Sequence, residues 1–128
     1  MKFQPDTAEG LTTVTRQDPG RVWVGPNLFE ASIVLPWKGD VQPWGASSLE
    51  ELTPDHFARI VALKPEVVIF GSGARLRFPA PALLRALIEA RIGVETMDTA
   101  AACRTYNVLA SEGRTVVAAL LLEAPGFT

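Results

Sequence analysis

The sequence predicts an α/β domain of three layers: a central mixed, mostly parallel sheet flanked by helices, with an additional N-terminal antiparallel β layer. Three observations predict it. Two apolar runs, Val67-Val68-Ile69-Phe70 and Val116-Val117-Ala118-Ala119-Leu120-Leu121-Leu122, show no alternation, as strands buried on both faces do not. Strand and helix patterns alternate across residues 53–122, as in βαβ units. Before residue 36, turn signals instead separate short alternating runs, the pattern of an antiparallel meander. The 128 residues fit a single domain, and 48% hydrophobic with 20% charged residues supplies a core without metal or disulfide staples. Residues 1–10 read as a loosely held arm and residues 124–128 as a tail.

Taken in order, residues 11–16 carry Thr12, Thr13, Val14 and Thr15, a β-prone set. Asp18-Pro19-Gly20 is a turn, because proline presets φ and glycine admits positive φ. Arg21-Val22-Trp23-Val24 alternates, and Gly25-Pro26-Asn27 turns the chain again. Residues 28–35 then read as one strand with Phe29, Ala31, Ile33 and Leu35 on one face. Pro36 and Pro43 keep the next stretch out of a central strand, leaving Val41 for a short edge strand. Trp37 and Trp44 are expected to pack across the end of the core, since an indole buries a large area. Were they exposed, they would supply surface for a homodimer.

Thr53-Pro54 has the N-cap and first-turn preferences of a helix start. Phe57, Ile60 and Val61 form its apolar stripe, and Lys64-Pro65 ends it. Pro79 and Pro81 bracket the next helix, with Leu83, Leu84, Leu87 and Ile88 on one side. Gly93 leads into a strand, Asp98 or Thr99 caps the third helix, and Gly113 sits just past its end.

Composition narrows the function classes. A net charge of −2 and a pI near 5.4 give no general attraction to nucleic acid. No apolar run approaches the ~20 residues of a membrane span. The N-terminus lacks the apolar run of a signal peptide, and Asp6 and Glu9 are residues a mitochondrial presequence avoids, so a cytoplasmic bacterial protein is expected. With one cysteine and one histidine, neither a disulfide framework nor a His/Cys metal site is expected, and no cofactor motif is complete.

Two loops carry the functional interest. Gly71-Ser72-Gly73 follows the first buried strand, where glycines let backbone N–H groups approach an anion. The spacing is neither of the two glycine-rich phosphate signatures, because Ala74-Arg75-Leu76 interrupts both. Tight-turn glycines without a ligand are the plainer account. Asp98-Thr99 follows the next strand, and if both strands are parallel the two loops share the edge where open α/β sheets collect ligands. Gly71, Ser72, Gly73, Arg75, Asp98 and Thr99 therefore form a candidate ligand crevice, with Arg75 as anion partner. Simple helix capping by Asp98 and Thr99 is compatible with it.

Cys103 falls with Ala102, Tyr106, Leu109 and Ala110 on one helix face, which is a core stripe. As a nucleophile it would need a base, and nothing in the spacing brings His56 to it. No catalytic residue is assigned. Arg75, Arg77, Arg85 and Arg91 make a locally basic stretch, either a solvated face or a docking patch for an acidic partner.

The segment from Asp98-Thr99-Ala100-Ala101-Ala102-Cys103-Arg104-Thr105-Tyr106-Asn107 to Glu112-Gly113-Arg114 resembles the domain-of-unknown-function 498 family. So do Pro65-Glu66-Val67-Val68-Ile69-Phe70-Gly71-Ser72-Gly73, Ser32-Ile33-Val34-Leu35-Pro36 and Trp44. The resemblance spans roughly residues 10–123. Its relatives include the mitochondrial respiratory complex I assembly factor 3 and an adipogenesis-associated domain protein. It implies the three-layer α/β fold, no established activity, and a protein partner. The expected function is a non-enzymatic interaction or assembly-factor-like domain. The alternative is a small-ligand binder or enzyme using the crevice at residues 71–73 and 98–99.

Overall fold

Val68, Ile69 and Phe70 have no solvent exposure, so the strand that holds them lies inside a sheet and is covered on both faces. In the computed structural model, which describes residues 12–123, this strand is β6 (Val67–Gly71). The expected arm, Leu11 and the expected tail lie outside the described residues. β6 pairs in parallel with both neighbours, β7 (Gly93–Met97) and β8 (Val116–Leu120). β4 (Ile33–Pro36) joins β8 antiparallel, and the two-residue β5 (Gln42–Pro43) closes that edge. The order is β5-β4-β8-β6-β7. Two of the four pairings are parallel, so the sheet is mixed in equal parts and not mostly parallel. The last strand inserts beside an early one, a neighbour relation that strand patterns in the sequence do not encode.

A second, antiparallel sheet holds β1 (Val14–Asp18), β2 (Arg21–Val24) and β3 (Asn27–Phe29). The turns at Pro19-Gly20 and Gly25 lie where the sequence places them, with φ of +74° at Gly20 and +56° at Gly25. The single strand expected over residues 28–35 is instead two strands in different sheets. Residues 30–32 carry the chain across, and buried Ser32 fixes the crossing by accepting Leu122 N–H on its Oγ at 2.9 Å. Ala31 is exposed, while Val34 and Leu35 are both buried, so one-sided alternation fails here.

Three α-helices, α1 (Pro54–Val61), α2 (Arg85–Glu89) and α3 (Thr99–Ser111), and two short 3-10 turns, Leu49–Glu51 and Pro81–Leu84, complete the described fold. α1 begins as expected: Pro54 occupies the first turn and Thr53 N–H donates to His56 Nδ1 at 3.0 Å. α3 is capped by the Asp98 carboxylate, which accepts Ala101 N–H at 2.9 Å, and Gly113 follows with φ +84°.

The five-stranded sheet carries an apolar cluster on each face. One joins Ile33, Leu35, Ile69 and Leu120 to Val14, Val22 and Val24 of the small sheet and to Ala102, Cys103 and Tyr106 of α3. The other joins Val34, Val68, Phe70 and Val117 to Phe57, Ile60, Leu87 and Trp44. Trp44 is 1% exposed and Trp37 is half-buried against both clusters, so the two indoles pack on the core as expected. Ile88, expected on the apolar side of α2, is 60% exposed; the five-residue helix presents only Leu87 inward. Val41 stays outside the edge strand that the sequence assigned to it.

Candidate functional site

β6 and β7 run parallel with Gly71 opposite Met97, so both candidate loops leave the same sheet edge. They meet there directly. Ser72 N–H donates to Met97 O at 2.8 Å, and Thr99 N–H donates to Gly73 O at 2.9 Å. Thr99 Oγ1 accepts Gly73 N–H and donates to Leu121 O, both at 2.9 Å. One buried hydroxyl thus clamps the β6 loop, the start of α3 and the end of β8. Gly71 is required by this closeness: a Cβ there would lie 3.0 Å from Thr99 Oγ1 and from Leu120 Cδ2. At Gly73, φ is +102° and a Cβ would meet the Glu123 carboxylate at 2.6 Å.

The amides at Ser72 and Gly73 are therefore engaged within the protein. The two candidate loops are adjacent, and the six candidate residues divide into different roles. Asp98 caps, Thr99 clamps, and Ser72 shapes the following loop: its Oγ lies 2.7 Å from Arg75 O and accepts Arg77 N–H at 3.0 Å. Arg75 points to solvent. Arg77, which the sequence grouped with Arg75 as one basic stretch, turns inward and pairs with Glu50 and, at 3.9 Å, with Glu123. A backbone hydrogen bond first, and the Arg77 guanidinium next, favour the charged form of Glu50, so its carboxyl titrates below the usual range. No sequence signal marks which of the two arginines is consumed.

Between Ser72 and buried Pro79 the chain exposes Leu76 (53%) and Phe78 (69%) beside Arg75. This is a loop with fixed ends and a short internal hydrogen-bond network, carrying large apolar side chains into water. Sequence reasoning passed over it because Leu76 and Phe78 fit neither a helix nor a strand period.

Cys103 and His56 do not meet. Cys103 lies in the cluster shared by α3 and the small sheet, while His56 sits edge-on to Trp44 on the opposite face. Burial raises the Cys103 thiol from 9.0 to about 12, so at neutral pH it is an un-ionised core group. A raised acid stabilises the native state fully below the unfolded value, and that contribution is lost as pH rises from about 9 towards about 12. Two results are expected. Iodoacetamide modifies Cys103 slowly in the native protein and quickly in denaturant. Stability falls on the alkaline side less steeply in Cys103→Ala than in the parent; equal slopes would contradict the buried neutral thiol.

Among the described residues no three His, Cys, Asp or Glu side chains group as metal ligands, and no helix is long and apolar enough to cross a membrane.

A model of a family described as "Protein of unknown function (DUF498/DUF598)" matches residues 14–121. NADH dehydrogenase (ubiquinone) 1 alpha subcomplex assembly factor 3 of Bos taurus is 37% identical over 111 residues, 85% of this chain and 59% of that protein. The Homo sapiens protein of the same name is 38% identical over 128 residues, 98% of this chain and 68% of that one. The chain thus spans 59% to 68% of the length of these relatives. A crystal structure of a Bordetella parapertussis protein aligns with a TM-score of 0.85 at 38% identity, covering 91% of this chain and 99% of that one.

Proposed function

The chain belongs to the DUF498/DUF598 family of proteins of unknown function, and from that premise we propose that it is a non-enzymatic protein-interaction domain of the assembly-factor kind. The observation that carries the proposal is the pinned loop with Leu76 and Phe78 exposed at 53% and 69%. Ser72 bonds Arg75 O and Arg77 N–H within the loop, and Pro79 at its far end is buried, so less conformational entropy remains to be lost on docking. Phe78 has the character of a binding anchor, an aromatic that gains by entering a partner's pocket. Arg75 stands beside it with no ion-pair partner among the described residues, so the fitting partner is a protein surface with an apolar pocket rimmed by carboxylates. The names of the relatives add support, since they describe proteins that assist assembly.

The small-ligand alternative at residues 71–73 and 98–99 receives less support. An anion recruited by Ser72 and Gly73 N–H would have to displace Met97 O and Thr99 Oγ1.

The test is affinity capture with the parent chain, Leu76→Ser/Phe78→Ser, and Ile88→Ser as an exposed control. Both variants are expected to fold, because exposed sites change stability by about 0.5 kcal/mol or less. A partner recovered by the parent and the control should fall about tenfold or more in the loop variant, as loss of an aromatic anchor implies. Equal recovery by all three would remove the loop from the interface.

A further inference from the structure

The loop that exposes Leu76 and Phe78 stands on two inward side chains, Arg77 and Pro79. Phe78 precedes Pro79 and Ala80 precedes Pro81, and a proline holds the residue before it extended. Ala80 has φ −61° and ψ 140°, as that restriction requires. An extended chain turns successive side chains to opposite sides. Leu76, Phe78 and Ala80 are accordingly exposed, while Arg77 is half-buried and Pro79 buried. We infer that Arg77 is the positioning residue of this loop: its guanidinium, held between Glu50 and Glu123, keeps Leu76 and Phe78 turned outward in one docking-ready conformation.

The clamp reaches outside the loop on two sides. Arg77 Nη2 pairs with Glu50, on the 3-10 turn Leu49–Glu51, and Nη1 lies 3.9 Å from Glu123 Oε2, just past β8. The backbone of the same residue is fixed as well, since Arg77 N–H donates to the Oγ of wholly buried Ser72 at 3.0 Å. Glu123 is itself seated against Gly73, where a Cβ would come within 2.6 Å of its Oε1. Arg77 thus joins the start of the loop, the turn before α1 and the end of the large sheet at one point. A guanidinium suits this place, because its rigid fork presents separate N–H groups to two carboxylates, whereas an ammonium is a single point of charge. The Arg77 and Glu123 side chains are each 29% exposed, so this contact is partly shielded from the screening that weakens open surface pairs.

The clamp opposes the preference of the side chains it displays. Leu76 and Phe78 are apolar, and water is the less favourable environment for both. A loop free to choose would fold them down onto the protein. With Arg77 and Pro79 directed inward, an extended chain cannot also turn their neighbours inward. The inference rests on the reading of this loop as a docking element, but its first test needs no partner.

That test is backbone 15N relaxation of the free protein, compared between the parent, Arg77→Met and Arg77→Lys. Methionine keeps the apolar stem and removes the charge. Order parameters at Leu76, Arg77 and Phe78 are expected near the rigid value of about 0.85 in the parent and below about 0.6 in Arg77→Met, with Arg77→Lys between them. The exchanged pair Arg77→Glu/Glu50→Arg should regain part of the order that Arg77→Glu alone loses. Order parameters elsewhere and the urea midpoint should stay near those of the parent, which separates positioning from a general loss of folding. Unchanged order at residues 76–78 in Arg77→Met, or no recovery in the exchanged pair, would overturn the inference. In affinity capture, Arg77→Met should recover about threefold less partner although Leu76 and Phe78 are both present. Equal recovery with a loosened loop would overturn the docking-ready role. A parent chain that captures no partner while Arg77→Met loosens the loop would instead remove the interaction reading and leave the Arg77 clamp standing.

Discussion

Trp44→Ala is expected to lower stability by about 3–5 kcal/mol, the usual cost of deleting a fully buried large aromatic. Against a typical total of about 5–15 kcal/mol, that leaves the variant marginal. Trp44 stands edge-on to Phe57 at 5.3 Å and to Phe70 at 5.9 Å, and those two rings lie 5.6 Å apart. The three rings tie the chain just past β5 to α1 and to the central strand. Trp44 also donates its indole N–H to His56 O at 3.0 Å, and its carbonyl accepts Arg59 Nη2 at 2.8 Å. Removing the side chain leaves a ring-sized cavity beside Phe70, which the sheet cannot close by moving. Trp44→Phe should cost less, because most of the contact survives and only the His56 carbonyl loses its donor. Urea denaturation checks this through the midpoint at an unchanged slope. A loss below about 1 kcal/mol in the alanine variant would show that the loop and not the ring trio holds this face.

Thr99→Val is expected to cost about 3 kcal/mol although it conserves shape and adds no bulk. The hydroxyl it removes satisfies Gly73 N–H and Leu121 O at once, and Thr99 is only 4% exposed. Both backbone groups would then be buried without partners, each worth about 1–3 kcal/mol. Thr99→Ser keeps the hydroxyl and loses one methyl, for about 1 kcal/mol. The expected order, valine worse than serine, is the reverse of what burial of apolar area alone predicts. Native-state hydrogen exchange gives a local reading of the same effect: the Gly73 amide should exchange far faster in Thr99→Val than in Thr99→Ser. If serine proves the more damaging change, the methyl and not the hydroxyl organises this edge.

The nearness of the two candidate loops was legible in the sequence, and the contacts between them were not. β6 and β7 run parallel and so put the loops after Gly71 and Met97 on one edge, an arrangement the sequence offered only on the condition that the two strands were parallel. What Thr99 does there was hidden, because its partners lie 26 and 22 residues away in sequence. The same applies to Asn107, whose clasp on Val14 spans 93 residues, and to Tyr106, whose hydroxyl lies 2.9 Å from Pro36 O, 70 residues away. The bulge in β1, where Val14 pairs with Val24 but Arg16 with Trp23, was hidden for a different reason. A bulge changes the parity of a strand by one residue and leaves no composition mark in a stretch such as Val14-Thr15-Arg16-Gln17.

The sequence by itself determined the local elements: the buried runs of β6 and β8, the Asp98 and Gly113 limits of α3, the Thr53-Pro54 start of α1, and the turns at Gly20 and Gly25. Each follows from propensity, capping and backbone freedom within a few residues. It also carried the family, through the motif along α3. Tertiary structure alone decided the strand order, the equal mix of parallel and antiparallel pairs, the split of residues 28–35 between two sheets and the partners of Trp44 in the core. A period of two or 3.6 residues states that a face is buried but not what covers it. Which strand lies beside which, and which hydroxyl meets which amide, depends on contacts between residues far apart in the chain. Those contacts decide whether a polar side chain clamps the fold, as Thr99 does, or stays exposed, as Arg75 and Arg104 do.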